Sequence, residues 1–247
     1  MKTALLIIDV QQGLCEGEGR AFESDEVIAR INGVSAQVRG AGWPVVFIQH
    51  ESRAGYLEHG SREWQLADGL QAAAEDLRVR KTTPDAFQGT DLDALLKARG
   101  VRELIVCGMH TEFCVDTTIR RALAMGYPVT LVADAHTSAG NAVLTPRMVI
   151  EHHNATLTNI SSFGPRVRLV PVGAVVVLLG WAGTALAIEE HDIAATRRTI
   201  DDVHRAAIGI IGRHAGRERQ HGKQRGEFQR DRFHRLHQTE STTRYSP

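Results

Sequence analysis

Residues 103–118 read ELIVCGMHTEFCVDTT, and this stretch decides the fold. Glu103 to Cys107 carries a short continuous apolar run, the signature of a strand buried on both faces. A turn follows, and Val115 to Met125 then has a helical period that Gly126 stops. A buried strand passing through a tight turn into a helix is the repeating unit of an α/β protein. The turn also delivers Cys114 to the start of the helix, where free N–H groups and the positive dipole end favour a thiolate. Taken alone, such a cysteine fits a buried structural thiol better than a nucleophile, so the rest of the chain has to decide between them.

The same alternation continues on either side. Ala4 to Ile8, Val45 to Ile48 and Val129 to Val132 are further apolar runs of strand length. Helical periods cover Val27 to Arg39, closed by Gly40-Ala41-Gly42, and Asp91 to Arg99, closed by Gly100. Pro146 to His153 reads as another helix, followed by a short element over Ala155 to Leu157, and Val167 to Val172 as a last strand. Strands alternating with helices that close on glycine predict a three-layer α/β/α domain around a mainly parallel sheet. Ligands of such sheets bind at the carboxyl ends of the strands. Asp9, Gln49-His50 and the turn from Gly108 to Cys114 all fall there.

The 247 residues carry 29 basic and 29 acidic side chains, a balance that offers no attraction to nucleic acid or to an anionic membrane. Cys15, Cys107 and Cys114 are too few for a disulfide framework, and their spacing fits no zinc motif. Met1 to Ala4 runs straight into a strand without the apolar core of a signal peptide, so the sequence reads as that of a cytoplasmic protein. Residues 1–173 form the expected domain, and residues 174–247 are a different text. Leu169 to Ile188 holds no charge and has the length of a bilayer span, yet Pro171, Gly173, Gly180 and Gly183 interrupt it. A membrane anchor is therefore the lesser reading. His214 to His237 is basic but has only Phe228 and Phe233 as aromatics, which favours a disordered tail over a nucleic-acid site. An altered reading frame would also give this abrupt change of composition.

Several motifs recur in order: Leu6-Ile7-Ile8-Asp9-Val10-Gln11-Gln12; Arg80-Lys81 with Asp85-Ala86-Phe87 and Thr90-Asp91-Leu92; Gly108 to Thr118 with Arg121-Ala122; Gly126-Tyr127-Pro128-Val129; and Ala133-Asp134-Ala135. Over roughly residues 1–173 the chain resembles the isochorismatase-like cysteine hydrolases, a Rossmann-like family that includes nicotinamidases and N-carbamoylsarcosine amidohydrolases. The resemblance implies a catalytic triad of Asp9, Lys81 and Cys114. It also implies an oxyanion hole from the backbone N–H groups of His110 and Cys114, presented through a cis peptide between Met109 and His110. Chemistry independent of the family agrees: a lysine beside a thiol favours the thiolate, and a nearby carboxylate can relay a proton and activate water. Cys107 belongs to the apolar strand and reads as core, and Cys15, in the loop after Asp9, as a spectator.

Nicotinamidase-like members hold a metal through an Asp-x-His element after the second strand and a further histidine. The corresponding stretch here is Gln49-His50-Glu51, with His59 later, so the aspartate is missing and no metal or other cofactor is expected. Leu14, Gln49, His50, Trp64 and Phe87 are the candidate pocket residues; Trp64 and Phe87 fit core aromatics equally well. The expected activity is cysteine-dependent hydrolysis of an amide, ureide or carbamoyl C–N bond of a small molecule, with water as co-substrate, in a homo-oligomer. The alternatives are a non-catalytic binding protein on the same scaffold and a membrane-tethered hydrolase.

Overall fold

A computed structural model describes residues 2–175. The expectations for residues 176–247, the basic tail and all but the first residues of the apolar run Leu169 to Ile188 among them, lie outside these. Among the described residues no helix is long and apolar enough to cross a membrane.

Six strands form one sheet: β1 (Lys2–Ile8), β2 (Val45–His50), β3 (Leu77–Lys81), β4 (Val101–Met109), β5 (Val129–Thr137) and β6 (Val167–Val170). They lie in the order β3-β2-β1-β4-β5-β6, and every pairing is parallel. Alternation within the apolar runs feeds two cores. Ala4, Leu6, Ile8, Val46, Ile48, Leu104 and Val106 face α3 (Leu92–Ala98), α4 (Asp116–Ala124) and α5 (Pro146–Asn159). Leu5, Ile7, Val45, Phe47, Ile105, Cys107 and Met109 face α2 (Ser24–Gly40), whose Val27, Ile28, Ile31, Val34 and Val38 form the buried stripe. With helices on both faces, this is the three-layer arrangement.

Five details differ from the sequence reading. The strand β3 was not anticipated. Its Leu77-Arg78-Val79-Arg80-Lys81 alternates and sits at the sheet edge, where only one face needs to be apolar. α5 is one continuous helix through Ala155–Leu157, since no glycine or proline interrupts it after Pro146; Thr145 caps its start by accepting from the Met148 N–H. β5 extends to Thr137, past a register shift opposite Val106 and Gly108. β6 stops at Val170, because Pro171 has no N–H for a ladder, and the chain turns into a 3-10 segment over Val172–Ala174. Cys15 ends a one-turn helix, α1 (Gln12–Cys15), instead of lying in a loop.

The strand order reverses direction between β1 and β4, so the crevice for a ligand opens at their carboxyl ends. At that point the two strands approach unusually closely. Ile8 pairs with Gly108, whose φ is +123°, and a Cβ built on Gly108 would lie 2.1 Å from the Ile8 carbonyl oxygen. Only glycine fits there.

Candidate active site

Asp9 follows the last residue of β1. Its φ of 52° is left-handed, a conformation that aspartate tolerates better than most residues, and its N–H donates to the Ile48 carbonyl at 2.8 Å. Lys81 is the last residue of β3 and lies in register with His50, the last of β2. The whole width of β2 separates Lys81 from β1, about 10 Å at the usual strand spacing. A long unbranched stem is needed to cross it, and lysine supplies one. The ammonium arrives 2.6 Å from Asp9 Oδ2, with Lys81 only 2% and Asp9 1% exposed. The pairing rule that puts a lysine on the surface fails here because the carboxylate is inside the site.

Cys114 lies in a π-helical turn, Thr111–Val115, that separates β4 from α4. Its Sγ is 3.2 Å from Lys81 Nζ. The peptide between Met109 and His110 is cis. The N–H groups of Phe113 and Val115 both donate to the His110 carbonyl at 3.2 Å. Among the described residues, the N–H groups of His110 and Cys114 go to no carbonyl outside the turn.

Three consecutive residues bolt this turn to β5 and the segment after it. His110 Nδ1 accepts from the Ala139 N–H at 3.1 Å, and burial lowers the pKa of its imidazole. Thr111 donates its hydroxyl to His136 Nδ1 at 2.8 Å, and His136 Nε2 donates to Asn154 Oδ1 at 2.8 Å. The direction follows from Asn154 Nδ2, which donates to the Ala133 carbonyl and leaves Oδ1 as the acceptor. Glu112 Oε1 accepts from the Ser138 hydroxyl at 2.7 Å. Thr118 ties α4 to the segment after Lys81, accepting from the Ala86 N–H at 3.1 Å. None of these links was assigned from sequence. The one signal available was the run Ala135-His136-Thr137-Ser138, where polar residues follow directly on an apolar strand.

The surroundings of the thiol pull in opposite directions. Burial pushes the Cys114 pKa up to about 12, the Asp9 carboxylate adds to the rise, and the Lys81 charge opposes it without prevailing. Burial and the Asp9 carboxylate thus work against the thiolate, and the Lys81 ammonium works for it. The helix-start effect that favours a thiolate is opposed here by the burial of the sulfur and by the carboxylate that shares its site. Asp9 Oδ1 is buried and has no partner among the described residues, so a free proton acceptor stands in the same cluster.

The other candidates separate. His50 Nδ1 lies 3.2 Å from Lys81 Nζ, inside the cluster. Gln49 is buried and structural, donating through Nε2 to the Trp64 carbonyl at 3.0 Å. Trp64 packs edge-on against His59, and its indole nitrogen is buried without a partner among the described residues. Leu14 packs against the α2-side core. Phe87 is a core residue, 7% exposed, and its ring stacks on Tyr127. Its N–H is held by Asp85 Oδ1 at 2.8 Å. Cys107 is fully buried in β4, and Cys15 is buried with its sulfur 3.6 Å from Met109 Sδ.

Asp9, His50 and Cys114 present ligand-type atoms within 4.8 Å of one another. The ammonium of Lys81 already sits within hydrogen-bond distance of all three. A built-in cation takes the position a divalent ion would need. These residues do not fit a metal.

Residues 3–166 match the isochorismatase domain family. A streptothricin hydrolase of Streptomyces noursei is 40% identical over 134 residues, which cover 54% of this chain and 49% of that protein. The chain thus spans about half the length of that relative. A ureidoacrylate amidohydrolase of Caulobacter vibrioides is 28% identical over 65% of this chain and 84% of its own length. Among solved structures, an isochorismatase family protein superposes with a TM-score of 0.63 at 34% identity, covering 68% of this chain and 97% of that one.

Proposed function

The chain belongs to the isochorismatase family of hydrolases, and from that membership we propose that it is a cysteine amidohydrolase acting on a small-molecule C–N bond. The observation that carries the reading is the placement of one buried ammonium between a carboxylate, at 2.6 Å, and a thiol, at 3.2 Å. Such a constellation suits nucleophilic catalysis with a relayed proton.

The reaction starts from the neutral thiol. As Cys114 Sγ attacks the carbonyl carbon, its proton passes to Asp9, whose free Oδ1 is the acceptor. The developing oxyanion is met by the N–H groups of His110 and Cys114; losing one such donor typically costs about 2.7–4 kcal/mol of barrier. Asp9 then gives its proton to the leaving nitrogen and the C–N bond breaks, leaving a thioester. Asp9 next takes a proton from water, whose oxygen attacks the thioester. Collapse expels the sulfur, which recovers the proton, and the acid product leaves. Lys81 keeps its proton throughout and balances the negative charge as it moves between Asp9 and the sulfur.

The streptothricin hydrolase and ureidoacrylate amidohydrolase relatives support amides and ureides as the class to test. The test is a screen for ammonia or amine release over amides, ureides and carbamoyl compounds. Cys114→Ala and Cys114→Ser should lose at least roughly a thousandfold in kcat while keeping the far-UV circular dichroism of the parent. A Cys114→Ala protein that turns over at the parental rate would overturn the mechanism.

A further inference from the structure

Lys81 has three ammonium protons and exactly three acceptors around them among the described residues: Asp9 Oδ2, Cys114 Sγ and His50 Nδ1. The first two belong to the chemistry proposed above. The third does not, and its geometry is built with equal care. An ammonium only donates, so Nδ1 must carry a lone pair and the ring proton sits on Nε2. Burial lowers the imidazole's pKa, and the Lys81 charge lowers it further against the opposing Asp9 and Glu51 carboxylates. The ring therefore enters as a neutral acceptor.

The main chain that carries the ring is clamped on both sides by one side chain. The His50 N–H donates to Gln11 Oε1 at 2.9 Å, and Gln11 Nε2 donates back to the His50 carbonyl at 3.0 Å. Gln11 is fully buried, and the same Nε2 also holds the Trp64 carbonyl at 2.9 Å. On the outer side Glu51 is fixed by a two-pronged ion pair with Arg80, at 2.7 and 3.0 Å.

We propose that His50 is a positioning residue: its imidazole takes the third proton of Lys81 and so fixes the direction in which the ammonium meets Asp9 and the Cys114 sulfur. A lysine stem has four rotatable bonds, and two acceptors leave the head free to roll about the line between them. The third acceptor removes that freedom. Gln11, through the His50 backbone, holds the acceptor in place. The assignment rests on the cysteine-hydrolase reading only for its catalytic consequence; the hydrogen-bond role stands without it.

The experiment compares His50→Asn, which keeps an acceptor near the place of Nδ1, with His50→Leu, which keeps bulk and removes the acceptor. The readout is the rate at which iodoacetamide modifies Cys114 in the folded protein, located by peptide mass, with Cys15 and Cys107 as buried internal controls. His50→Leu should react roughly tenfold more slowly, the scale of one lost charge-assisted hydrogen bond. His50→Asn should recover to within about threefold of the parent. In a Lys81→Met background the two His50 variants should no longer differ, since the coupling they report is gone. With any amide that the parent hydrolyses, kcat should follow the alkylation rates and KM should not change. A His50→Leu protein that reacts at the parental rate, or a His50→Asn protein as slow as His50→Leu, overturns the proposal. A parent that hydrolyses no amide overturns the amidohydrolase reading instead, and leaves the alkylation comparison intact.

Discussion

At the scale of single residues, the site depends as much on a missing side chain as on those present. Gly108 lets β4 pass close enough to Ile8 to set Asp9 beside the turn that bears Cys114. A Gly108→Ala chain must both adopt a φ of +123° and move the Ile8 carbonyl away from its new methyl group. We expect a loss of roughly 3 kcal/mol or more in denaturant unfolding, with activity reduced beyond what the unfolded fraction explains. An alanine variant as stable and as active as the parent would show that the close approach is dispensable. The residue scale is also where sequence reading was strongest and weakest. Asp9 and the Cys114 turn were legible because each follows an apolar run. Lys81 entered only through resemblance, since β3 was not recognised as a strand; once it is, the alternation puts Lys81 on the face of Leu77 and Val79. The groups that oppose the thiolate were not legible for a related reason: burial and a neighbouring carboxylate are facts of the folded site.

At the scale of elements, the central strands β1, β2, β4 and β5 were legible because burial on both faces makes them continuous apolar runs. β3 was not, because an edge strand needs apolar residues on one face only and spends the other on Arg78, over the Phe47 ring, and Arg80, on Glu51. The links between elements were invisible for a different reason: each joins residues far apart in the chain. The chain from Thr111 through His136 to Asn154 joins the π turn, β5 and α5, and it makes a prediction. Burial lowers the His136 pKa from 6.5 to about 4. In the unfolded chain the same ring takes a proton near its ordinary value, so acid favours unfolding between those limits. Stability should fall as pH drops from about 6.5 to about 4, by roughly 3 kcal/mol from this residue. Urea melts of the parent and of His136→Gln at several pH values isolate the contribution, which should be missing from the variant. Equal acid sensitivity in the two proteins would remove His136 as its source.

At the scale of the whole molecule, the last of the described residues, Val170, Val172, Ala174 and Val175, pack against the α2 face of the sheet. Val175 is fully buried, two residues beyond the boundary read from sequence. We expect a chain ending after Val175 to keep the melting temperature and hydrolytic rate of the full-length protein, and one ending after Val170 to melt lower; equal melting of both shortened chains would contradict the packing. The parallel order β3-β2-β1-β4 has one more consequence. Asp9 and Lys81 lie 72 residues apart, and Lys81 and Cys114 another 33, yet the three meet only when four strands stand side by side. A nascent chain leaving the ribosome therefore exposes its carboxylate and its ammonium well before its thiol exists. The thiol is translated last of the three, 33 residues after the ammonium. The three groups cannot come together before β4 has been made and paired with β1.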